Sequence, residues 1–170
     1  MRVLKPALLL LLAANAVYFL QSGSTSKAID SFAWLALLVL FMIETSFGKD
    51  VPNAAVARAL RIFRLIAALG VFAATAGYVL EDNMLDAVNS VLWILVVVVL
   101  ELQLRVSALT ERHRGTLVGL ATALYGALGL LVVVWAVQGM WLDAYDALLW
   151  LAAFVAIELT VTASFYRRDA

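Results

Sequence analysis

Three glutamates, Glu44, Glu101 and Glu158, stand inside otherwise apolar runs of this 170-residue chain. A carboxylate near the centre of a bilayer costs on the order of 3 kcal/mol unless it is paired or protonated, so acids in such places meet bases or carry protons and cations. Each follows a polar residue and a tryptophan in fixed order: Asp30, Trp34, Glu44; Asn89, Trp93, Glu101; Asp146, Trp150, Glu158. Glu101 lies 12 residues after Asn89, and Glu158 lies 12 after Asp146. On a helix rising ~1.5 Å per residue, both acids sit at a matched depth. Glu44 lies 14 residues after Asp30, two off that register and nearer its helix end. Two chemistries fit. In the structural one, Glu101 pairs with Arg105 one turn on, while Glu44 and Glu158 pair with Arg61 and Arg64. In the functional one, the acids form a cation or proton relay below an outer vestibule of Asp30, Asn89 and Asp146.

Elements long enough to place these groups in lipid are plain in the composition. With 65% hydrophobic residues, 14% charged and a mean hydropathy of +1.01, a soluble chain of this length would have more apolar surface than one core can bury. Residues 85–105 alone supply 21 positions, and a hydrocarbon core of roughly 30 Å needs about 20. Six such runs occur, near 3–20, 31–47, 59–80, 85–104, 116–137 and 142–166. With the N-terminus inside, Arg2, Lys5, Lys49, Arg58, Arg61, Arg64, Arg105, Arg112, Arg114, Arg167 and Arg168 all fall at cytoplasmic ends, leaving only Lys27 outside. That is eleven bases of twelve, the asymmetry that sets membrane orientation. The expected fold is an all-α integral membrane protein of six transmembrane helices, arranged as three tandem antiparallel helical hairpins with both termini cytoplasmic.

The hairpins align on Tyr18, Tyr78 and Trp135 late in the first helix and on Trp34, Trp93 and Trp150 early in the second, the members of each set following one another in nearly equal steps. A single membrane domain with internal repeats near 1–52, 53–112 and 113–170 follows. Because each unit holds two spans, the repeats are parallel about an axis along the membrane normal. The N-terminus admits a competing reading as a secretory signal peptide, with a basic start, a leucine core and the small-residue end Ala14-Asn15-Ala16. Its removal would leave five spans and put the basic ends on opposite sides, so it reads as the first span.

Other features carry less. Arg58, Arg61 and Arg64, spaced by three, resemble a fragment of a voltage-sensor helix over about a turn and a half. Sixteen uncharged residues follow, where a sensor needs arginines through the membrane depth, so the cluster reads as bases snorkelling at a helix end. Gly70 with Ala74, and Ala73 with Gly77, form small-xxx-small pairs suited to close helix approach. The fifth run carries Gly115, Gly119, Gly126 and Gly129 with Thr122 and Tyr125. Such glycines mark a packing face, and a tyrosine there hydrogen-bonds a neighbouring helix. His113, alone among loop charges, reads as solvated.

There is no cysteine, no zinc-binding His-Glu-x-x-His pattern, no nucleophile beside a base and no phosphate-cradling loop. Catalysis, a metal site and a cofactor are therefore not expected, and balanced charge gives no reason to expect nucleic acid. The expected partners are the lipid bilayer and either a second copy or another membrane protein. The bias to Ala, Val and Leu, with arginine over lysine, suits a bacterial inner membrane. Two roles remain: a small ion or proton pathway or transport subunit using the intramembrane carboxylates, and a structural or accessory subunit of a larger membrane complex.

Overall fold

The computed structural model describes residues 4–47, 53–105 and 113–166, with side chains described over 6–21, 23–43, 53–102, 113 and 115–156. Six α-helices and no strand occupy the described residues: α1 (Leu4–Ser22), α2 (Thr25–Phe47), α3 (Ala54–Leu80), α4 (Met84–Arg105), α5 (Arg114–Val137) and α6 (Trp141–Tyr166). Among the described residues, four stretches of 19 to 27 residues are long and apolar enough to cross a membrane: Thr25–Ile43, Ala54–Leu80, Met84–Leu102 and Gly115–Val137. Pro6–Gln21 is a shorter apolar helix. Leu10, Phe63, Leu80, Leu130 and Val137 are each more than half exposed, as side chains facing lipid would be.

Polar residues outside the apolar runs set where the helices begin. α2 starts at Thr25 and α3 at Ala54, several residues before their apolar runs at 31 and 59. The Ser24 hydroxyl accepts from the Lys27 amide at 3.3 Å, and the Asn53 side chain accepts from the Val56 amide at 2.8 Å. Asn83 accepts from the Asp86 amide at 3.4 Å at the start of α4. Each such side chain satisfies an amide that has no partner within its helix. Lys27 is consequently in the first turn of α2 and not in a loop.

Three residues connect α3 to α4, and three connect α5 to α6, through one backbone design. The Asn83 amide donates to the Tyr78 carbonyl at 2.9 Å and the Asp82 amide to Val79 at 3.3 Å. Met140 likewise donates to Trp135 at 2.9 Å and Gly139 to Ala136 at 3.1 Å. Both turns hold a left-handed residue, Asp82 at φ 56° and Gly139 at φ 78°, as this helix ending requires. Aspartate is among the few side chains that tolerate that region.

The chain divides into two compact units, residues Leu9–Ala87 and residues Met1–Leu8 with Val88–Ala170. In the first, α2 packs against α3. A Cβ built on Gly70 would lie 3.1 Å from the Ala33 Cβ, and one on Gly77 would overlap the Ser26 hydroxyl. Both contacts step by seven residues, in opposite directions on the two helices, so α2 and α3 run antiparallel with close backbones at two levels. Their shared face includes the fully buried Ala74, whereas Ala73 is exposed. In the second unit, α5 packs against α6, and Phe154 sits between Trp93 and Trp150 with ring centroids 4.6 and 6.4 Å away.

Buried positions recur at the same two steps that lead from Trp34 to Trp93 and from Trp93 to Trp150. Leu8, Ala67 and Leu124 are all buried, as are Leu12, Val71 and Leu128; Asn15, Ala74 and Leu131; and Phe19, Tyr78 and Trp135. In the even-numbered helices the sets are Ala28, Ala87 and Ala144; Trp34, Trp93 and Trp150; and Leu40, Val99 and Ala156. The aromatic that shares burial with Tyr78 and Trp135 is therefore Phe19, 6% exposed, and not its neighbour Tyr18, 51% exposed. Adjacent helical residues point about 100° apart, so only one of them can face inward.

Candidate functional site

Among the described residues of the first unit, a polar cluster lies where α2 begins, α3 ends and α4 begins. Lys27, in the first turn of α2, reaches the Asp86 carboxylate of α4 at 3.2 Å. Only 15% of the lysine side chain and 8% of the aspartate side chain remain exposed. The Asn83 side-chain amide also donates to Asp86. The Lys27 ammonium stands 5.6 Å from the centre of the Phe19 ring, within cation–π range. One turn along α2, Asp30 accepts from the Tyr78 hydroxyl at 3.3 Å. The Ser26 hydroxyl donates to Glu81 at 2.7 Å, closing α2 onto the end of α3.

Serine hydroxyls hold the Glu81 carboxyl below its ordinary 4.5, that of Ser26 contributing most and that of Ser24 next. A carboxyl whose folded-state pKa is depressed adds stability that is present above the unfolded value and is lost as pH falls through the folded one. Stability is therefore expected to start dropping as pH falls past 4.5. Glu81→Gln is expected to flatten that part of the acid limb in a pH series of unfolding midpoints, and an unchanged limb would show that these hydroxyls do not act on Glu81.

This cluster pairs an acid with a base and ties its other carboxylates, Asp30 and Glu81, to the Tyr78 and Ser26 hydroxyls. Its chemistry is that of a clamp between helices, with both charges of its ion pair neutralised in place. Of the residues singled out by sequence, it contains Asp30, Tyr78 and Lys27. Asn89 lies in α4 and Asp146 in α6, both half-buried in the second unit. The Glu101 side chain is exposed on α4. Arg61 is exposed and its Nε donates back to the Ala57 carbonyl at 3.3 Å, while Arg64 is half-buried. The side chains of Glu44, Arg105 and Glu158 lie outside the described residues, and with them the expected pairings of the three glutamates with arginine.

Sequence reasoning marked Lys27 only as the one base on the outer side and assigned no pairing to Lys27, Asp86, Ser26 or Asn83. A signal for the first two was present: Lys27, Asp86 and Asp143 follow one another in the register of Trp34, Trp93 and Trp150, with a base at one position where the other two hold acids. His113 takes the N-cap position of α5, exposed and with no capping bond from its side chain. No protein-family model, no curated protein and no solved structure matches this chain.

Proposed function

We propose that this chain is a non-catalytic subunit of a membrane complex, and that it docks to a transmembrane helix of another chain through the glycine face of α5. The open face carries the reading. Among the described residues, nothing lies within 4 Å of where a Cβ would stand on Gly115, Gly119, Gly126 or Gly129. Gly70 and Gly77, where α2 does dock, meet Ala33 and Ser26 instead. The α5 glycines and Thr122 follow one another at steps of four and three, two residues before the buried Leu117, Leu124, Leu128 and Leu131. A two-residue step turns about 200° around a helix, so the glycines face away from the chain's own core. The Thr122 hydroxyl is bonded to the Val118 carbonyl at 2.9 Å, which leaves a smooth strip that permits close backbone approach in lipid.

The same proposal takes the chain as three tandem hairpins, with both termini on the cytoplasmic side of a bacterial inner membrane. The recurrence of buried positions supports the hairpin register, and the arginine distribution supports the orientation. Lys27, the one base on the outer side in that orientation, is the one neutralised by Asp86. Gly119→Leu with Gly126→Leu is expected to release whatever the wild-type chain carries in mild detergent, leaving a folded chain of 18.5 kDa. A wild-type chain that already runs alone would end this reading.

A second reading, an ion or proton pathway, is favoured by the matched positions of Glu101 and Glu158, which are separated by the same step as Trp93 and Trp150. In liposomes, flux that falls in Glu101→Gln and Glu158→Gln would favour it over docking; absent or unchanged flux would remove it.

A further inference from the structure

Among the described residues α3 is the longest helix, and its two ends differ in chemistry. It stops at Leu80 against the polar turn Glu81-Asp82-Asn83, and between Asn53 and Leu80 it carries Arg58, Arg61 and Arg64 and no acid. Its 27 residues measure about 40 Å at ~1.5 Å each, roughly 10 Å more than a hydrocarbon core. With Leu80 at one edge of that core, Arg61, 19 residues earlier, stands about 29 Å away and so at the opposite headgroup level, with Arg58 a further turn out.

Packing sets the face these arginines take. Ala67, Val71, Ala74 and Tyr78 form the buried side of α3. Arg58 precedes Ala67 by nine positions, about two and a half turns, which puts it directly opposite that side. From Arg61, steps of four, four and three lead to Leu65, Leu69 and Phe72, one line down the same outward face. All three apolar side chains are more than half exposed, and Arg58 and Arg61 are exposed beyond them. Arg64 turns toward the packed side and is half-buried. Arg61 donates through Nε to the Ala57 carbonyl at 3.3 Å, which draws its side chain toward the start of α3 and spends one donor of a guanidinium that has several.

A pair of guanidiniums above an exposed apolar line matches the two halves of a phospholipid. We propose that Arg58 and Arg61 bind the phosphate of one anionic phospholipid, whose acyl chain lies along Leu65, Leu69 and Phe72. Guanidinium forks fit phosphate oxygens, and bases at the headgroup level are the setting in which such lipids are recognised. A net negative headgroup is selected because two cations one turn apart, on a helix without acids, repel the cation that a zwitterionic headgroup carries. Free phosphate would leave the apolar line unused. The site uses only residues of α3, so it is independent of docking through α5.

Native mass spectrometry of the full chain, released from detergent holding equal amounts of phosphatidylglycerol and phosphatidylcholine with identical chains, is the test. The expected result is retention of one phosphatidylglycerol, with a preference that falls about fivefold for each arginine removed in Arg58→Gln, Arg61→Gln and the double variant. Arg112→Gln with Arg114→Gln, which removes as much charge outside α3, should leave the preference unchanged. No preference in the wild type, a preference untouched at Arg58 and Arg61, or an equal fall in the Arg112 and Arg114 variant overturns the site. Inorganic phosphate added alone should leave no adduct, and phosphate retained as well as the lipid overturns it equally. If the double variant fails to fold, the two single variants decide.

Discussion

Asp86→Ala is expected to lower the stability of the folded chain by about 3 kcal/mol, because it removes the carboxylate that stands 3.2 Å from the largely buried Lys27 ammonium. The loss has two parts. The carboxylate is the lysine's ion-pair partner, and it is also the group to which the Asn83 side chain donates at the start of α4. Phe19 offers the ammonium only a ring face at 5.6 Å, which is worth less than a carboxylate. The double variant Lys27→Met with Asp86→Leu is expected to recover most of the loss, since replacing both members of a buried pair with apolar groups of similar volume is often close to neutral. Unfolding titrations of both single variants and the double in one detergent give the comparison. A single-variant cost below about 0.5 kcal/mol would place the pair with exposed surface bridges and remove the clamp from this account.

Gly77→Ala is expected to cost about 2 kcal/mol, the range for forcing an extra methyl into a filled space. The added carbon would overlap the Ser26 hydroxyl, and that hydroxyl cannot swing aside freely because it donates to Glu81 at 2.7 Å. Either the hydrogen bond is lost or α2 and α3 separate. At Gly70 the nearest atom is the Ala33 Cβ at 3.1 Å, which needs to give only slightly, so Gly70→Ala should cost less than half as much. Gly126→Ala, with open space around it, should range from neutral to about 1 kcal/mol stabilising, from helix propensity alone. The ordering of the three midpoints is the test. Equal effects at Gly77 and Gly126 would mean that α2 does not approach α3 as closely as described.

The amino-acid order alone determined that the chain is helical and apolar, and it located the six helices of the described residues and the short turns at 81–83 and 138–140. Length in lipid is a property of composition over about twenty residues, and composition needs no fold to be read. Helix starts were less legible at α2 and α3. The capping residues Ser24 and Asn53 lie outside the apolar runs, and hydropathy reports the length facing lipid, not where hydrogen bonding begins.

Faces were another matter. A helix with apolar residues all round has no stripe to show which side is inward, so sequence could not choose Phe19 over Tyr18, nor tell the closely packed Gly77 from the open Gly126. For Glu101 it indicated a depth, while the structure adds that the side chain is exposed. Lys27 and Asp86 stand on different helices, far apart in the chain, and no local pattern announces that one neutralises the other. Tertiary structure decided these points because lipid makes every face of a span equally apolar, leaving packing and pairing between distant helices to assign each side chain its role.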